Sequence, residues 1–262
     1  METAGFALTV VIGLLVGLFG GGGSILTVPV LVYLFAVPAA GATTYSLALV
    51  SITSLVAAVP SVRQKKIAYQ KTLQFGIPSL IALYTVRAYV LPAIPLHFDL
   101  WGCSMEKNTF TMLFFSALML ASGIFMIRKK KNNTECPDCR YNPFVLMGAG
   151  LLEGLITGIV GAGGGFIIVP VLMVFGKLSL KQAVANSLVI IGVKSFIGFL
   201  GSPDLSGLDL FFLAKIVLIA SVGMYLGIKL NKKLDSQQLK PVFGYFIILM
   251  GVAVLLKELV VN

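Results

Sequence analysis

A chain of 262 residues that is 58% hydrophobic and only 11% charged has too few ionisable groups to cover a water-soluble surface, which excludes an ordinary soluble enzyme or binding domain. The formal net charge of +10 would suit nucleic acid in a soluble chain. Here, however, the Lys and Arg residues sit in short loops between apolar stretches, the pattern of cytoplasmic membrane loops, so the expected partner is the lipid bilayer and not nucleic acid.

Taken in chain order, the first 19 residues have no basic stretch before the apolar run and no small-x-small cleavage site, so they read as part of the mature protein rather than a signal peptide. Apolar segments are expected at 4–36, broken by Gly20–Gly23, and at 39–61, 72–93 and 109–128. A polar, basic stretch with Cys136-Pro-Asp-Cys139 follows, and then segments at 143–176, broken near Gly161–Gly165, and at 179–202, 208–229 and 240–257. Segments such as 110–127 and 243–256 are apolar on all sides, without the alternation of a barrel strand. At about 1.5 Å per residue, such segments cross all or most of a core of about 30 Å. The fold class read from this is an all-α integral membrane protein.

The chain is internally duplicated. Gly20 to Leu31 (GGGGSILTVPVL) and Gly161 to Leu172 (GAGGGFIIVPVL) align without a gap at an offset of 141 residues. The same offset pairs Gly13 with Gly154, Gly17 with Gly158, Ser46 with Ser187 and Tyr84 with Tyr225. This divides one transmembrane unit into an N-terminal repeat at 1–128, a linker at 129–142 expected in the cytoplasm, and a C-terminal repeat at 143–262.

Equivalent loops carry opposite charge. The loop after the first full helix holds Arg63, Lys65, Lys66 and Lys71, whereas its counterpart, Ser202–Leu210, holds no basic residue and two aspartates. The next pair reverses this: Pro95–Asn108 is poor in basic residues, and Lys229, Lys232, Lys233 and Lys240 crowd its counterpart. The two repeats are therefore expected to be inverted. Inversion needs an odd number of crossings per half, so each glycine-broken segment is read as a re-entrant helical hairpin followed by three transmembrane helices. This topology puts 15 of the 20 basic residues in the cytoplasm, which favours it. His97, Phe98 and Trp101 fall in an outer loop, where Trp101 suits an interfacial anchor.

Irregular backbone at membrane depth is tolerated only where protein or a watery cavity surrounds it. At the two glycine breaks, the following half-helix begins with unpaired N–H groups and a positive dipole end, which suits an anion. Gly22, Gly23, Ser24, Gly163, Gly164 and Gly165 are thus candidate substrate-binding residues, against the alternative that glycines only permit close packing. No Gly-Lys-Ser/Thr follows them, so a nucleotide loop is not expected. Ser46, Asn186 and Ser187 offer hydroxyl and amide donors for oxyanion oxygens, against the alternative that the hydroxyls bond back to carbonyls of their own helix.

Ionisable residues inside apolar segments mark function or pairing. Lys194 and Arg87 are candidate anion ligands, and Glu153 is a candidate proton-coupling group. The alternatives are a mutually neutralising Glu153–Lys194 ion pair, and snorkelling for Arg87 and Lys215. Cys136 and Cys139 supply half a zinc site or one reducible disulfide, so no metal and no cofactor is expected.

The two glycine-rich Val-Pro-Val-Leu segments and the Asn186-Ser187 step resemble the TauE/SafE sulfite exporter family. The resemblance covers nearly the whole chain through its duplication. It implies a multi-pass inner-membrane transporter of small sulfur-containing anions such as sulfite, thiosulfate or organosulfonates, with Gly20–Ser24 and Gly161–Gly165 as the repeated signatures. Thr44-Tyr45-Ser46 is bulkier than the resemblance implies, and the Cys-Pro-Asp-Cys loop falls outside it. A secondary transporter working by alternating access is the expected function; a membrane-embedded enzyme acting on a sulfur compound and a passive anion channel are the alternatives.

Overall fold

The computed structural model describes residues 2–19, 27–37, 39–65, 67–90, 97–100, 103–127, 141–160, 164–202, 208–233 and 236–261. Ten α-helices lie among them. In the first half these are α1 (Glu2–Phe19), α2 (Thr27–Leu34), α3 (Ala39–Arg63), α4 (Tyr69–Thr85) and α5 (Lys107–Ile127). The second half has α6 (Pro143–Val160), α7 (Gly165–Val174), α8 (Leu180–Leu200), α9 (Leu210–Lys233) and α10 (Ser236–Val261). At the 141-residue offset, α1 to α4 correspond to α6 to α9, and α5 and α10 close their respective halves.

Two features depart from the expected helices. The segment expected to run from 72 to 93 starts earlier, at Tyr69, and passes into a π-helical turn, Val86–Val90. The expected outer loop contains an antiparallel hairpin, β1 (His97–Leu100) with β2 (Cys103–Glu106), in which His97 faces Glu106 and Leu100 faces Cys103.

The halves exchange partners. α1 packs on α9 of the other half, and α6 packs on α4. Small residues make both contacts possible. A Cβ at Gly13 would overlap the carbonyl of Ala220, and one at Gly154 would overlap the carbonyl of Ser79. Gly13 and Gly154 are repeat equivalents, and so are Ser79 and Ala220, so one contact is built twice. One turn on, Gly17 meets Met224 and Gly158 meets Leu83, again equivalent pairs, which makes α1 parallel to α9 and α6 parallel to α4. Helices α5 and α10 pair antiparallel, with Gly123 against Gly244 and Ile248, and Gly251 against Met119 and Leu120. In a lipid setting, where apolar burial alone does not drive helix association, such glycine-mediated approach supplies the packing.

Helices α3 and α8 meet at the centre. The Ser51 hydroxyl donates to the Gly192 carbonyl at 3.2 Å, and these two positions are themselves repeat equivalents. The outward faces repeat as well: Ile77, Ile81 and Tyr84 on α4 and their equivalents Leu218, Val222 and Tyr225 on α9 are all more than half exposed. Such stripes would be an aggregation hazard in water and are the natural contact with lipid.

The helix starts are capped across the halves. Asn186 Oδ1 on α8 accepts from the Ala68 N–H at 2.9 Å and from the Thr72 hydroxyl, capping α4. At the equivalent place, the Tyr45 hydroxyl on α3 accepts from the Asp209 N–H at 2.7 Å, and Asp209 Oδ1 in turn accepts from Phe211 and Phe212 at the start of α9. Ser179 and Gln182 form a reciprocal capping box at the start of α8.

Candidate functional site

The described chemistry concentrates beneath the second glycine break. Gly164 stands at φ +69° as the N-cap of α7, and its carbonyl accepts from Ile167 at 2.9 Å and Ile168 at 3.1 Å, opening that helix. A Cβ at Gly164 would overlap Glu153 Oε1 and Thr157 Cγ2. Both the backbone conformation and the space therefore require glycine here.

Directly under Gly164, Glu153 of α6 is 1% exposed and Lys194 of α8 is 2% exposed. The Lys194 ammonium donates to both carboxylate oxygens, at 2.9 Å to Oε1 and 2.7 Å to Oε2, and to the Thr157 hydroxyl at 3.2 Å. Ser79, reaching in from α4, donates to Glu153 Oε2. Thr157, one turn beyond Glu153, donates to the Glu153 carbonyl at 2.9 Å. Either charge alone would be costly at this depth, and together they form a neutral, hydrogen-bonded unit tying α4, α6 and α8 together.

This unit has no counterpart in the first half. The positions equivalent to Glu153, Thr157 and Ser79 are Ile12, Val16 and Ala220, all buried and apolar. Lys194 corresponds to Thr53, whose hydroxyl bonds back to the Leu49 carbonyl of its own helix at 2.7 Å. Among the described side chains, this buried ion pair therefore has no repeat equivalent.

The remaining candidates are distributed as follows. Gly165 is the first residue of α7. Asn186 is fully buried and engaged on both ends of its amide, since Nδ2 donates to the Gln182 carbonyl at 2.6 Å while Oδ1 caps α4. Ser187 is buried and donates to the Val184 carbonyl at 2.8 Å, and its equivalent Ser46 is also buried. Arg87 lies on the π-helical turn, with its side chain outside the described set; Gly22, Gly23, Ser24, Gly163, Cys136 and Cys139 lie outside the described residues altogether. Lys215 is exposed and stands 4.6 Å from the Phe211 ring centre. Among the described residues there is no group of three or more His, Cys, Asp or Glu side chains able to hold a metal.

Sequence reasoning passed over Ser79 and Thr157. Thr157 lies four residues after Glu153, hence on the same helix face, which was a usable signal. Nothing in the sequence places Ser79 beside a carboxylate 74 positions away.

Gly41–Arg63, Leu180–Leu200 and Leu210–Asn231 are each long and apolar enough to cross a membrane. These features define a multi-pass helical membrane protein. The sulfite exporter TauE/SafE family model matches residues 5–254, so the chain belongs to that family, a family of membrane transporters. Its relatives include a probable membrane transporter protein of Methanocaldococcus jannaschii, 26% identical over 94% of this chain and 92% of the relative. Two from Bacillus subtilis are the probable membrane transporter proteins YdhB, 25% identical over 87% of this chain and 90% of its own length, and YunE, 26% identical over 94% and 96%. No solved structure matches the chain.

Proposed function

We propose that the protein is a secondary transporter that moves a small sulfur-containing anion, such as sulfite, thiosulfate or an organosulfonate, across a cell inner membrane by alternating access between two inverted repeats. The observation that carries this reading is the exchange of partners. Equivalent helices make equivalent contacts, α1 on α9 and α6 on α4, while the terminal helices α5 and α10 run antiparallel. A scaffold built twice about one central contact has two matching ways to open, which is what alternating access requires.

In this reading, the candidate N–H groups at Gly22–Ser24 and at Gly163–Gly165 bind the anion, with Ser46, Asn186, Ser187 and Arg87 shaping its surroundings. Glu153 and Lys194 provide coupling. A proton taken up by Glu153 removes the negative member of the pair and leaves the Lys194 ammonium to attract the anion, so one proton and one negative charge move together. The family description and the relatives' names support transport through the membrane.

The test is counterflow in proteoliposomes. Unlabelled sulfite, thiosulfate or sulfoacetate trapped inside should drive saturable uptake of the same anion in labelled form. Flux without counterflow would indicate a channel, and a chemically altered anion would indicate an enzyme; either result overturns this reading.

A further inference from the structure

We infer that Ser54 and Ser195, one from each half, form a pair of hydroxyl donors for the oxygens of a small oxyanion bound at the crossing of α3 and α8. This rests on the transport reading above and adds to it a site that neither glycine break supplies.

The starting observation is an exception. A buried Ser or Thr in a helix usually bonds back to a carbonyl one turn earlier. The rule holds for Thr9, Thr53, Thr157 and Ser187, whose hydroxyls donate to Gly5, Leu49, Glu153 and Val184. Among the described residues, three buried side-chain hydroxyls have no hydrogen-bond partner: Thr27, Ser54 and Ser195. Thr27 opens α2 just after the first glycine break. Ser54 is 0% and Ser195 1% exposed, and the two are repeat equivalents, 141 residues apart. The same exception thus occurs at both copies of one position.

The location is specific. Ser51 and Gly192, also equivalents, touch at the α3–α8 crossing. Ser54 lies three residues beyond Ser51, and Ser195 three beyond Gly192, so each shares the helix face of that contact and stands about 4.5 Å of rise from it. Gly192 keeps the crossing close, since a Cβ there would sit 2.8 Å from Leu55 Cγ. Ser195 also directly follows Lys194, and Ser54 directly follows Thr53, the uncharged equivalent of Lys194.

A buried hydroxyl without a partner is disfavoured, and two at equivalent positions imply a ligand that satisfies both in a working state. Hydroxyls donate to oxyanion oxygens without adding charge, so they orient an anion and still release it. Because the pair belongs equally to both halves, the contact persists whichever side is open.

The experiment uses the full-length protein with sulfite, thiosulfate and sulfoacetate as probes. Affinity is measured by direct binding and by half-saturation of counterflow, and stability is measured without anion. Each of Ser54→Ala and Ser195→Ala should weaken binding of the transported anion about tenfold or more, while leaving stability without anion unchanged or raised. Ser54→Thr and Ser195→Thr, which keep a hydroxyl, should retain most of the affinity. Wild-type affinity in both alanine variants, with counterflow intact, would overturn this inference alone and leave the serines hydrated only. Alanine variants that lose anion-free stability as well as affinity would also overturn it, by making the hydroxyls structural. A wild-type protein indifferent to every probe would overturn the transport reading and this inference with it.

Discussion

Replacing Lys194 by Met removes the ammonium that donates to both oxygens of Glu153 at 2.9 and 2.7 Å and to Thr157 at 3.2 Å. Among the described residues, Glu153, at 1% exposure, then keeps the Ser79 hydroxyl as its side-chain donor. Breaking a buried pair by removing one partner costs about 3 to 5 kcal/mol. Glu153→Met strands the Lys194 ammonium without its carboxylate and should cost about as much. When both partners become methionine, no charge is stranded, and replacing a whole buried pair by apolar groups of similar size is often neutral or stabilising. The double variant should therefore lie within about 2 kcal/mol of wild type, giving a coupling energy of several kcal/mol between the two sites. The assay is unfolding in mixed detergent micelles, followed by far-ultraviolet circular dichroism. Additive losses, with the double variant as unstable as the sum of the singles, would refute the argument, because they would mean that the two charges do not neutralise each other in the folded protein.

Other outcomes are expected from the same geometry. Glu153→Gln, which retains hydrogen bonding but cannot exchange a proton, should leave counterflow intact while uptake stops responding to an imposed pH gradient; a full pH response would remove Glu153 from coupling. Gly164→Ala combines φ +69° with overlap on Glu153 and Thr157, so it should cost at least about 1 to 2 kcal/mol in the unfolding assay, whereas Gly148→Ala, with nothing within 4 Å of the new Cβ, should be neutral or stabilise by up to about 1 kcal/mol. Gly13→Val and Gly154→Val, which would drive side chains into the equivalent Ala220 and Ser79 carbonyls, should lower folded yield in membranes to similar extents; a large effect of only one would argue against equivalent contacts. In a cysteine-free background, Gln64→Cys should react with impermeant reagent from the cytoplasm and Gly201→Cys from outside; labelling of both from one side would exclude inverted repeats.

The duplication was legible because the glycine-rich Val-Pro-Val-Leu pattern is short, unusual and present twice. Membrane class was legible from the length of the apolar runs. Partner choice was not: periodicity identifies a packing face but not the helix that fills it, and α1 meets a helix roughly 200 residues further on. Asn186 illustrates the same limit. Its amide reads as an oxyanion donor by residue type, yet the structure uses it to cap α4 through Ala68 and Thr72, more than 110 positions away. That cap also accounts for α4 starting at Tyr69 instead of near 72. Glu153 and Lys194 stood out because charge in an apolar run always needs an explanation; Ser54 and Ser195 did not, because serines in such runs are ordinarily satisfied by their own helix.

The partner exchange has a consequence for biogenesis. α1 is synthesised first, but the surface that receives Gly13 and Gly17 belongs to α9, which emerges after most of the chain is already made. During that interval the glycine face of α1 has only lipid or transient neighbours to lie against. Insertion and assembly are therefore separated in time, and the first half cannot complete its own packing before the second arrives. A ribosome stalled between α5 and α6 would hold a membrane-inserted but unassembled intermediate, with both α1 and α4 still waiting for partners encoded downstream.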